Sequence, residues 1–328
     1  MLRHRYEFPA EGELPGFDGA TTWLNSAPLT AAGLRGRPVL VNFGTYTCIN
    51  WLRSLPWVRA WADKYAADGL TVVGVQTPEF DFEGDLDNVQ RAVKEMDVRY
   101  PLVVDNDYAV WRAFDNHYWP ALYFVDAEGR IRHHHFGEGE YEESEMVLQM
   151  LLREAGVDVD QGLVRLEPTG VEAAADWASL GSPETYVGHG RAVGFASPGG
   201  GVPDADHVYS APAELRRNQW SLSGDWRIGL VPVLLTGSGG SIAFRFQARD
   251  LHLVMGPPAG RGPVRFRVRL DGEPPGSARG IDVDGSGDGT ADYQRMYQLI
   301  RQPSPDGDRL FEVEFLDAGV EAFVFTFG

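Results

Sequence analysis

The chain contains a single cysteine, and the neighbouring sequence places it where a thiol becomes reactive. Residues 39–43 are apolar and partly β-branched and predict a strand, whereas residues 49–67 predict a helix, so Cys48 ends a short loop directly before that helix. Unpaired backbone N–H groups and the helix dipole favour the thiolate at such a position. Because the thiolate is the nucleophilic form, the spacing predicts an activated nucleophile, and a buried, inert cysteine is the alternative.

Strands and helices alternate on either side of Cys48, as an α/β domain requires. Four further apolar runs have strand length: residues 70–75, 102–104, 121–125 and 131–136. Helical patterns occur at residues 85–96, 108–114 and 142–155. Pro56 is expected to kink the helix that follows Cys48. Strand–helix–strand units that end in a hairpin and a helix predict a three-layer α/β domain.

The second half of the chain has a different pattern. From about residue 163, helical periodicity nearly disappears, and residues 264–270, 311–315 and 323–327 follow a period of two, with Gly-rich turns between the runs. Such strands present one face to a core and the other to solvent. The pattern predicts a jelly-roll-type β-sandwich, and we assign residues 1–160 to the α/β domain and 161–328 to the β-sandwich.

Several stretches together resemble one protein family. They are T-Y-T-C-I-N at 45–50, D-N-D-Y at 105–108, Y-W-P-A at 118–121, F-G-E-G-E-Y at 136–141, N-Q-W at 218–220, A-R-D-L-H-L at 248–253 and D-V-D at 282–284. Together with the Phe-rich C-terminus they resemble the thioredoxin-like and β-rich parts of DipZ-type proteins, across nearly all of the chain from about residue 18. The resemblance implies a thioredoxin fold with thiol redox chemistry. That family also has a membrane portion that conducts electrons; since these 328 residues show none, we expect no built-in electron supply.

The resemblance also implies which residues surround the nucleophile. Pro120 stands at the place of the family's cis-proline, which lies against the reactive sulfur, and Trp119 precedes it. Trp51 stands where the family's Cys-x-x-Cys motif has its second cysteine. The residues that lead into Cys48 are Thr45, Tyr46 and Thr47. The two indoles either form an apolar rim for a partner peptide or pack internally, and both possibilities stay open here.

The absence of a second cysteine limits the possible redox cycles. Cys48 cannot close an intramolecular disulfide, so an attack would leave a mixed disulfide that only another molecule's thiol resolves. We therefore expect an external thiol or a thioredoxin-type reductant as partner, a protein disulfide as a possible substrate, and no cofactor. Two alternatives remain: a non-catalytic scaffold that binds a protein or a glycan, and a one-cysteine peroxide reductase, because Thr45-x-x-Cys48 is similar to peroxiredoxins.

Three further patterns could form binding sites, although each also has a simpler structural explanation. Alternating oxygen-bearing residues resemble the start of a calcium loop, although a turn between strands is favoured: Asp282, Asp284, Ser286 and Asp288. His133 and His135 share one face of a predicted strand and could begin a metal site, but a solvated strand edge is favoured. The β half resembles carbohydrate-binding modules in fold. Its aromatics could form a sugar platform, but a role in the core is favoured: Trp177, Tyr186, Trp220, Trp226, Tyr293 and Tyr297.

Charge and hydropathy restrict the partners. The chain carries 29 Lys and Arg against 47 Asp and Glu, for a formal net charge of −18. Nucleic acid and anionic membranes attract positive surfaces, so we expect neither as a partner. No apolar run reaches the roughly 20 residues of a membrane helix, and the opening residues do not resemble a signal sequence. We expect a soluble, cytoplasmic protein.

Overall fold

Residues 8–328 are described by a computed structural model, in which the chain divides into two compact units between Ala173 and Ala174. The predicted boundary after residue 160 is corrected to this position, because residues 161–173 are bound to the first unit. The Glu172 carboxylate pairs with Arg59 at 2.8 Å. The backbone N–H of Val164 donates to Glu145 at 2.8 Å.

The described part of the first unit contains a mixed sheet. Its strands in chain order are β1 (Gly12–Glu13), β2 (Thr22–Leu24), β3 (Val39–Gly44), β4 (Thr71–Gln76), β5 (Leu102–Val104), β6 (Ala121–Val125) and β7 (Arg130–Phe136). They are arranged in the order β1-β7-β6-β3-β4-β5-β2. β3, β4 and β5 run parallel to one another, whereas β6 runs antiparallel to β3, and β7 runs antiparallel to β6. Every residue of β3 is buried, which is typical of a central strand covered on both faces.

The helices of the first unit agree with the predicted alternation. They are α1 (Ala31–Leu34), α2 (Ile49–Tyr65), α3 (Leu86–Glu95), α4 (Ala109–Ala113) and α5 (Tyr141–Glu154), together with 3₁₀ turns at Asp81–Gly84 and Gly170–Glu172. α2 packs on β4 and α5 packs on β6. α2 continues as one helix through Pro56. With its central parallel strands, C-terminal hairpin and closing helix, this unit is a thioredoxin-like α/β domain.

The second unit is all-β. Its strands in chain order are β8 (Thr185–Tyr186), β9 (Asp206–Tyr209), β10 (Trp220–Ile228), β11 (Val233–Leu235), β12 (Ser241–Phe246), β13 (Asp250–Gly256), β14 (Val264–Leu270), β15 (Asp288–Ala291), β16 (Arg295–Arg301), β17 (Arg309–Phe315) and β18 (Glu321–Phe327). A short 3₁₀ turn covers Gly276–Ala278. The main path is β15-β14-β17-β12-β10-β11-β18-β13-β16, with β8 on β18 and β9 on β10. All of these ladders are antiparallel.

One long strand lets this sheet curl around its own core. Residues Trp220–Ser223 of β10 pair with β12, whereas its later residues pair with β9 and β11. Gly224 lies where the partners change, and its φ of 97° is a conformation that favours glycine. The predicted β-sandwich is therefore confirmed as a single curled sheet, with β10 shared by both layers.

The aromatic side chains of the second unit mostly fill that core. Trp220, Trp226 and Tyr297 are fully buried in it. A sugar platform is therefore excluded for these three residues, and the favoured role as core is correct. Trp177 is 64% exposed, whereas the half-buried Tyr186 ring lies under the Arg191 guanidinium, 3.4 Å from its centroid.

Candidate functional site

Cys48 is the N-cap residue of α2, as its spacing predicts. Its backbone is extended, with φ −75° and ψ 115°, and its carbonyl accepts the first helical hydrogen bond, from Leu52 N–H at 3.0 Å. The thiol is half-buried and lies at the end of α2 where N–H groups point outward. A developing thiolate at this position is stabilised by the helix dipole.

Trp119 and Pro120 lie directly beside the sulfur. The Cys48 Sγ is 3.8 Å from the Trp119 carbonyl oxygen, and the Trp119–Pro120 peptide bond is cis. The Trp119 indole N–H donates to the Thr77 carbonyl at 3.1 Å, and its ring packs against Trp111 with centroids 4.4 Å apart. Trp119 is half-buried: its backbone carbonyl borders the nucleophile, and its ring is held by Thr77 and Trp111.

Trp51 is directed into the domain interior. Its side chain is 4% exposed and covers Gly44, the last residue of β3, so closely that a Cβ at Gly44 would lie 2.1 Å from the indole. Trp51 also lines a small cavity with Tyr46 and Gln76. Of the two possibilities for the tryptophans, internal packing is correct for Trp51, and the rim role is wrong for it because the ring does not reach solvent.

The three residues before Cys48 are all buried and anchor the loop from inside. Thr45 Oγ1 accepts a hydrogen bond from the Gln76 side-chain amide at 3.0 Å. The Tyr46 hydroxyl donates to the Phe82 carbonyl at 3.3 Å. Thr47 is bonded through both its backbone and its hydroxyl to the carboxylate of Glu83. These residues therefore shape the backbone that presents Cys48.

Glu83 is a buried acid that the sequence reasoning missed. It lies in the 3₁₀ turn Asp81–Gly84 and is 0% exposed. Burial raises the pKa of Glu83, while hydrogen bonds from the hydroxyls of Thr45 and Thr47 act in the opposite direction. The run T-P-E-F-D-F-E at 77–83 contains its signal, since acids alternate there with aromatic residues in a loop that follows a buried strand.

A buried ion pair joins the start of α2 to the segment before α5. The Arg53 guanidinium and the Glu138 carboxylate are 3.0 Å apart, and their side chains are 2% and 9% exposed. Burial raises the pKa of Glu138, and the Arg53 charge opposes this rise. The neighbouring Gly137 N–H donates to the carbonyl of Pro120 at 2.9 Å, so the same segment supports the cis-proline beside the nucleophile.

The residues considered for metal binding are engaged in other contacts. Asp282 pairs with Arg295 at 2.8 Å, and Asp288 pairs with Arg267 at 2.6 Å. Asp284 accepts from the backbone N–H of Ser286 at 2.8 Å, as the carboxylate of a turn does. No group of three or more His, Cys, Asp or Glu residues between 8 and 328 could hold a metal ion. The structure thus gives the calcium loop no support.

Among residues 8–328, His133 and His135 likewise belong to no group that could hold a metal ion. The His135 ring pairs with Glu140 at 3.2 Å. His133 packs against the rings of Phe8 and Phe124, and burial lowers its pKa. Neither contact creates a metal site on β7.

A cysteine at a helix N-terminus, facing the residue before a cis-proline on this sheet, defines a thioredoxin-like protein. Family comparison supports this class: residues 12–134 match the AhpC/TSA family, and residues 182–328 match the family described as "Thioredoxin like C-terminal domain". The chain therefore belongs to the thioredoxin-like family, with the additional C-terminal domain.

Curated relatives agree with this assignment. Protein DipZ of Mycobacterium tuberculosis is 35% identical over 268 residues, which cover 80% of this chain and 37% of DipZ. Thiol-disulfide oxidoreductase YkuV of Bacillus subtilis is 32% identical over 124 residues, which cover 38% of this chain and 83% of YkuV. The matched region thus spans little more than a third of the length of DipZ.

One solved structure is also similar to part of this chain. A thioredoxin-like protein solved in its oxidised form is 32% identical and has a TM-score of 0.41, with 44% of this chain and 96% of that chain covered.

Among residues 8–328, none of the helices combines the length and the apolar character needed to cross a membrane.

Proposed function

We propose that the protein is a monothiol thiol-disulfide oxidoreductase in which Cys48 is the nucleophile and an external thiol completes each cycle. The observation that carries the proposal is the position of Cys48 at the N-terminus of α2, with its sulfur 3.8 Å from the Trp119 carbonyl. Trp51 occupies the position one helical turn further on, where a second thiol would otherwise complete the cycle. The family's oxidoreductase relatives support the same reaction class.

The cycle consists of two thiol-disulfide exchanges. In the first, the Cys48 thiolate attacks one sulfur of a substrate disulfide, forms a mixed disulfide and releases the second substrate sulfur as a thiolate, which takes up a proton. In the second, the thiolate of an external thiol attacks the substrate sulfur of the mixed disulfide and releases Cys48 as a thiolate. The substrate disulfide is reduced and the external thiol becomes oxidised, so electrons balance without a cofactor.

The chain's own residues assist the first exchange. The N–H groups at the start of α2 stabilise the Cys48 thiolate, and the Trp119 carbonyl beside it is a backbone acceptor on the substrate-facing side. Nearby on the same hairpin edge, Tyr118 is 51% exposed and stacks on Phe136, which is 38% exposed. This aromatic pair favours a peptide disulfide over a small charged one.

Mass spectrometry of the intact protein tests this function. Incubation with an oxidised model peptide should add one peptide mass to the parent and none to Cys48→Ser. Addition of glutathione should then remove the adduct and regenerate the free thiol. If the parent forms no adduct at neutral pH, the proposal fails, and the scaffold alternative, in which the fold binds a protein or a glycan without catalysis, takes its place.

Peroxide reduction is the second candidate, because the first unit matches the AhpC/TSA family. In that reaction the Cys48 thiolate would attack a peroxide oxygen and break the O–O bond, giving a sulfenic acid and hydroxide, which takes up a proton to become water. One external thiol would then condense with the sulfenic acid and release a second water, and a second thiol would release Cys48 and leave the two external thiols as a disulfide. Rates with hydrogen peroxide and with the oxidised peptide, measured on the same preparation, separate the two functions. We expect the peptide to react faster, because Thr45 is turned inward to Gln76.

A further inference from the structure

We propose that Glu83 is the positioning residue of this site, which holds the loop before Cys48 and, through its negative charge, sets the proton affinity of the thiol. The inference rests on the proposed function, because it concerns the reactivity of the same cysteine. Nothing in the sequence pattern around Cys48 points to this residue. It is brought there by the turn that follows β4.

The hydrogen bonds of Glu83 connect two loops at the nucleophile. One carboxylate oxygen accepts from the Thr47 hydroxyl at 2.5 Å and from the Thr47 N–H at 3.3 Å. The other accepts from the backbone N–H groups of Glu79 at 2.7 Å and Phe80 at 2.9 Å. Thr47 directly precedes Cys48, so the carboxylate fixes the backbone that leads into α2.

The carboxylate has donors but no counter-charge. It is fully buried, and no Lys, Arg or His of residues 8–328 forms an ion pair with it. A buried carboxylate without a cation is sensitive to any further negative charge near it. A thiolate at Cys48, the residue directly after the Thr47 that Glu83 binds, adds such a charge near the buried carboxylate, so the two ionisations oppose each other.

The other ionisable groups around Glu83 are also acids. The groups on the loops packed against it are Tyr46, Cys48, Glu79, Asp81, Asp85, Asp105 and Tyr108. Repulsion from Glu79 adds to the rise in the pKa of Glu83 that burial causes. Because none of these groups supplies a positive charge, Glu83 and Cys48 form a coupled pair whose protons are released in linked steps.

Glu83 therefore makes the Cys48 thiol a weaker acid. While it is ionised, it opposes formation of the Cys48 thiolate, and when it takes up a proton, the opposition disappears. Removal of its charge should make Cys48 a stronger acid, whereas a purely structural role would leave the acidity of the thiol unchanged or raise its pKa through a disordered helix start.

The test is the pH dependence of Cys48 alkylation by iodoacetamide in the full chain. Glu83→Gln keeps the size of the side chain and removes the charge. We expect its alkylation midpoint to fall by about one pH unit, which gives roughly three- to tenfold faster alkylation at pH 7. Asp81→Asn is the matched control, because it removes an exposed negative charge from the same 3₁₀ turn. Its midpoint should stay within about 0.2 pH units of the parent's.

A second variant covers the case in which Glu83→Gln does not fold. Thr47→Val keeps the side-chain shape and removes the hydroxyl donor, so Glu83 binds its proton more tightly and the Cys48 midpoint again falls. If Glu83→Gln and Thr47→Val leave the Cys48 midpoint unchanged or raise it, the inference is overturned. It is also overturned if Asp81→Asn shifts the midpoint as much as they do. Either result leaves the proposed function intact. A parent thiol that resists both alkylation and disulfide exchange would overturn both.

Discussion

The buried indole of Trp51 lies directly on the backbone of Gly44. A Cβ at Gly44 would lie 2.1 Å from both Cδ1 and Nε1 of the ring, far inside any real contact. The site thus depends on a glycine at the end of β3 and a tryptophan on the first turn of α2.

Gly44→Ala should therefore destabilise the first unit. The added methyl group must displace a buried indole, and overpacking of this kind costs about 1–3 kcal/mol. Urea unfolding followed by tryptophan fluorescence measures the change. Gly12→Ala is the matched control, since a Cβ there meets nothing within 4 Å, and it should alter the free energy of unfolding by less than about 0.5 kcal/mol. Equal effects of the two substitutions would contradict this packing.

Trp51→Cys should restore the second thiol of a dithiol site. Residues three apart on a helical turn lie within the roughly 4.4–6.8 Å between Cα atoms that a disulfide requires. The folded variant should lose both free thiols under mild oxidation and reduce insulin with dithiothreitol as electron donor, which the parent does poorly. The lost indole costs about 3–5 kcal/mol, so circular dichroism must first show that the variant is folded. Two thiols that stay free in a folded variant would refute the geometry.

Glu83 should make the stability of the first unit depend on pH in a defined direction. Because its pKa is raised from the unfolded value of 4.5, the folded state binds its proton more tightly. This contribution to stability is complete below pH 4.5 and decreases as the pH rises to the folded-state pKa. The decrease is about 1.4 kcal/mol for each pH unit that separates the two pKa values. Urea midpoints between pH 4 and 8 should show this slope in the parent and in Asp81→Asn, and a smaller slope in Glu83→Gln, where Glu138 still has a raised pKa. An undiminished slope in Glu83→Gln would assign it to other groups.

The Arg53–Glu138 pair should respond differently to single and double substitution. Glu138→Ala removes the carboxylate that faces the buried Arg53 guanidinium and should cost about 3–5 kcal/mol. Arg53→Met combined with Glu138→Leu should recover most of that loss, because apolar side chains replace both charges. Glu13→Ala is the control, as Glu13 pairs with Arg35 only at the exposed surface, and should cost less than about 1 kcal/mol. A double variant as unstable as Glu138→Ala would contradict this account of the pair.

Much of this architecture is predictable from local pattern. The run V-L-V-N-F and the helix after Cys48 are set by apolar periodicity, and each is confirmed within two residues at either end. The period-two runs of the second half likewise become β14, β17 and β18. These elements are predictable because side-chain burial along one segment decides them.

The features that were missed depend on contacts between distant segments. Glu83 meets Thr47 from 36 positions away. The direction of the Trp51 ring on α2 depends on the absence of a side chain at Gly44, the last residue of β3. The 161–173 segment joins the first unit through Arg59 and Glu145, which no pattern within that segment reveals. Likewise, the carboxylates at 282–288 look like metal ligands in sequence, because their arginine partners lie on neighbouring strands.

The acidity of the Cys48 thiol tests the central claim most directly. The parent's rate of alkylation by iodoacetamide, followed from pH 5 to pH 10 with Cys48→Ser as the blank, gives the thiol pKa. An activated nucleophile at the N-terminus of α2 should titrate below the free-cysteine value of about 8.5. A pKa of about 9 or higher would show that the surrounding apolar groups outweigh the helix terminus, and would contradict the assignment of Cys48 as a redox nucleophile.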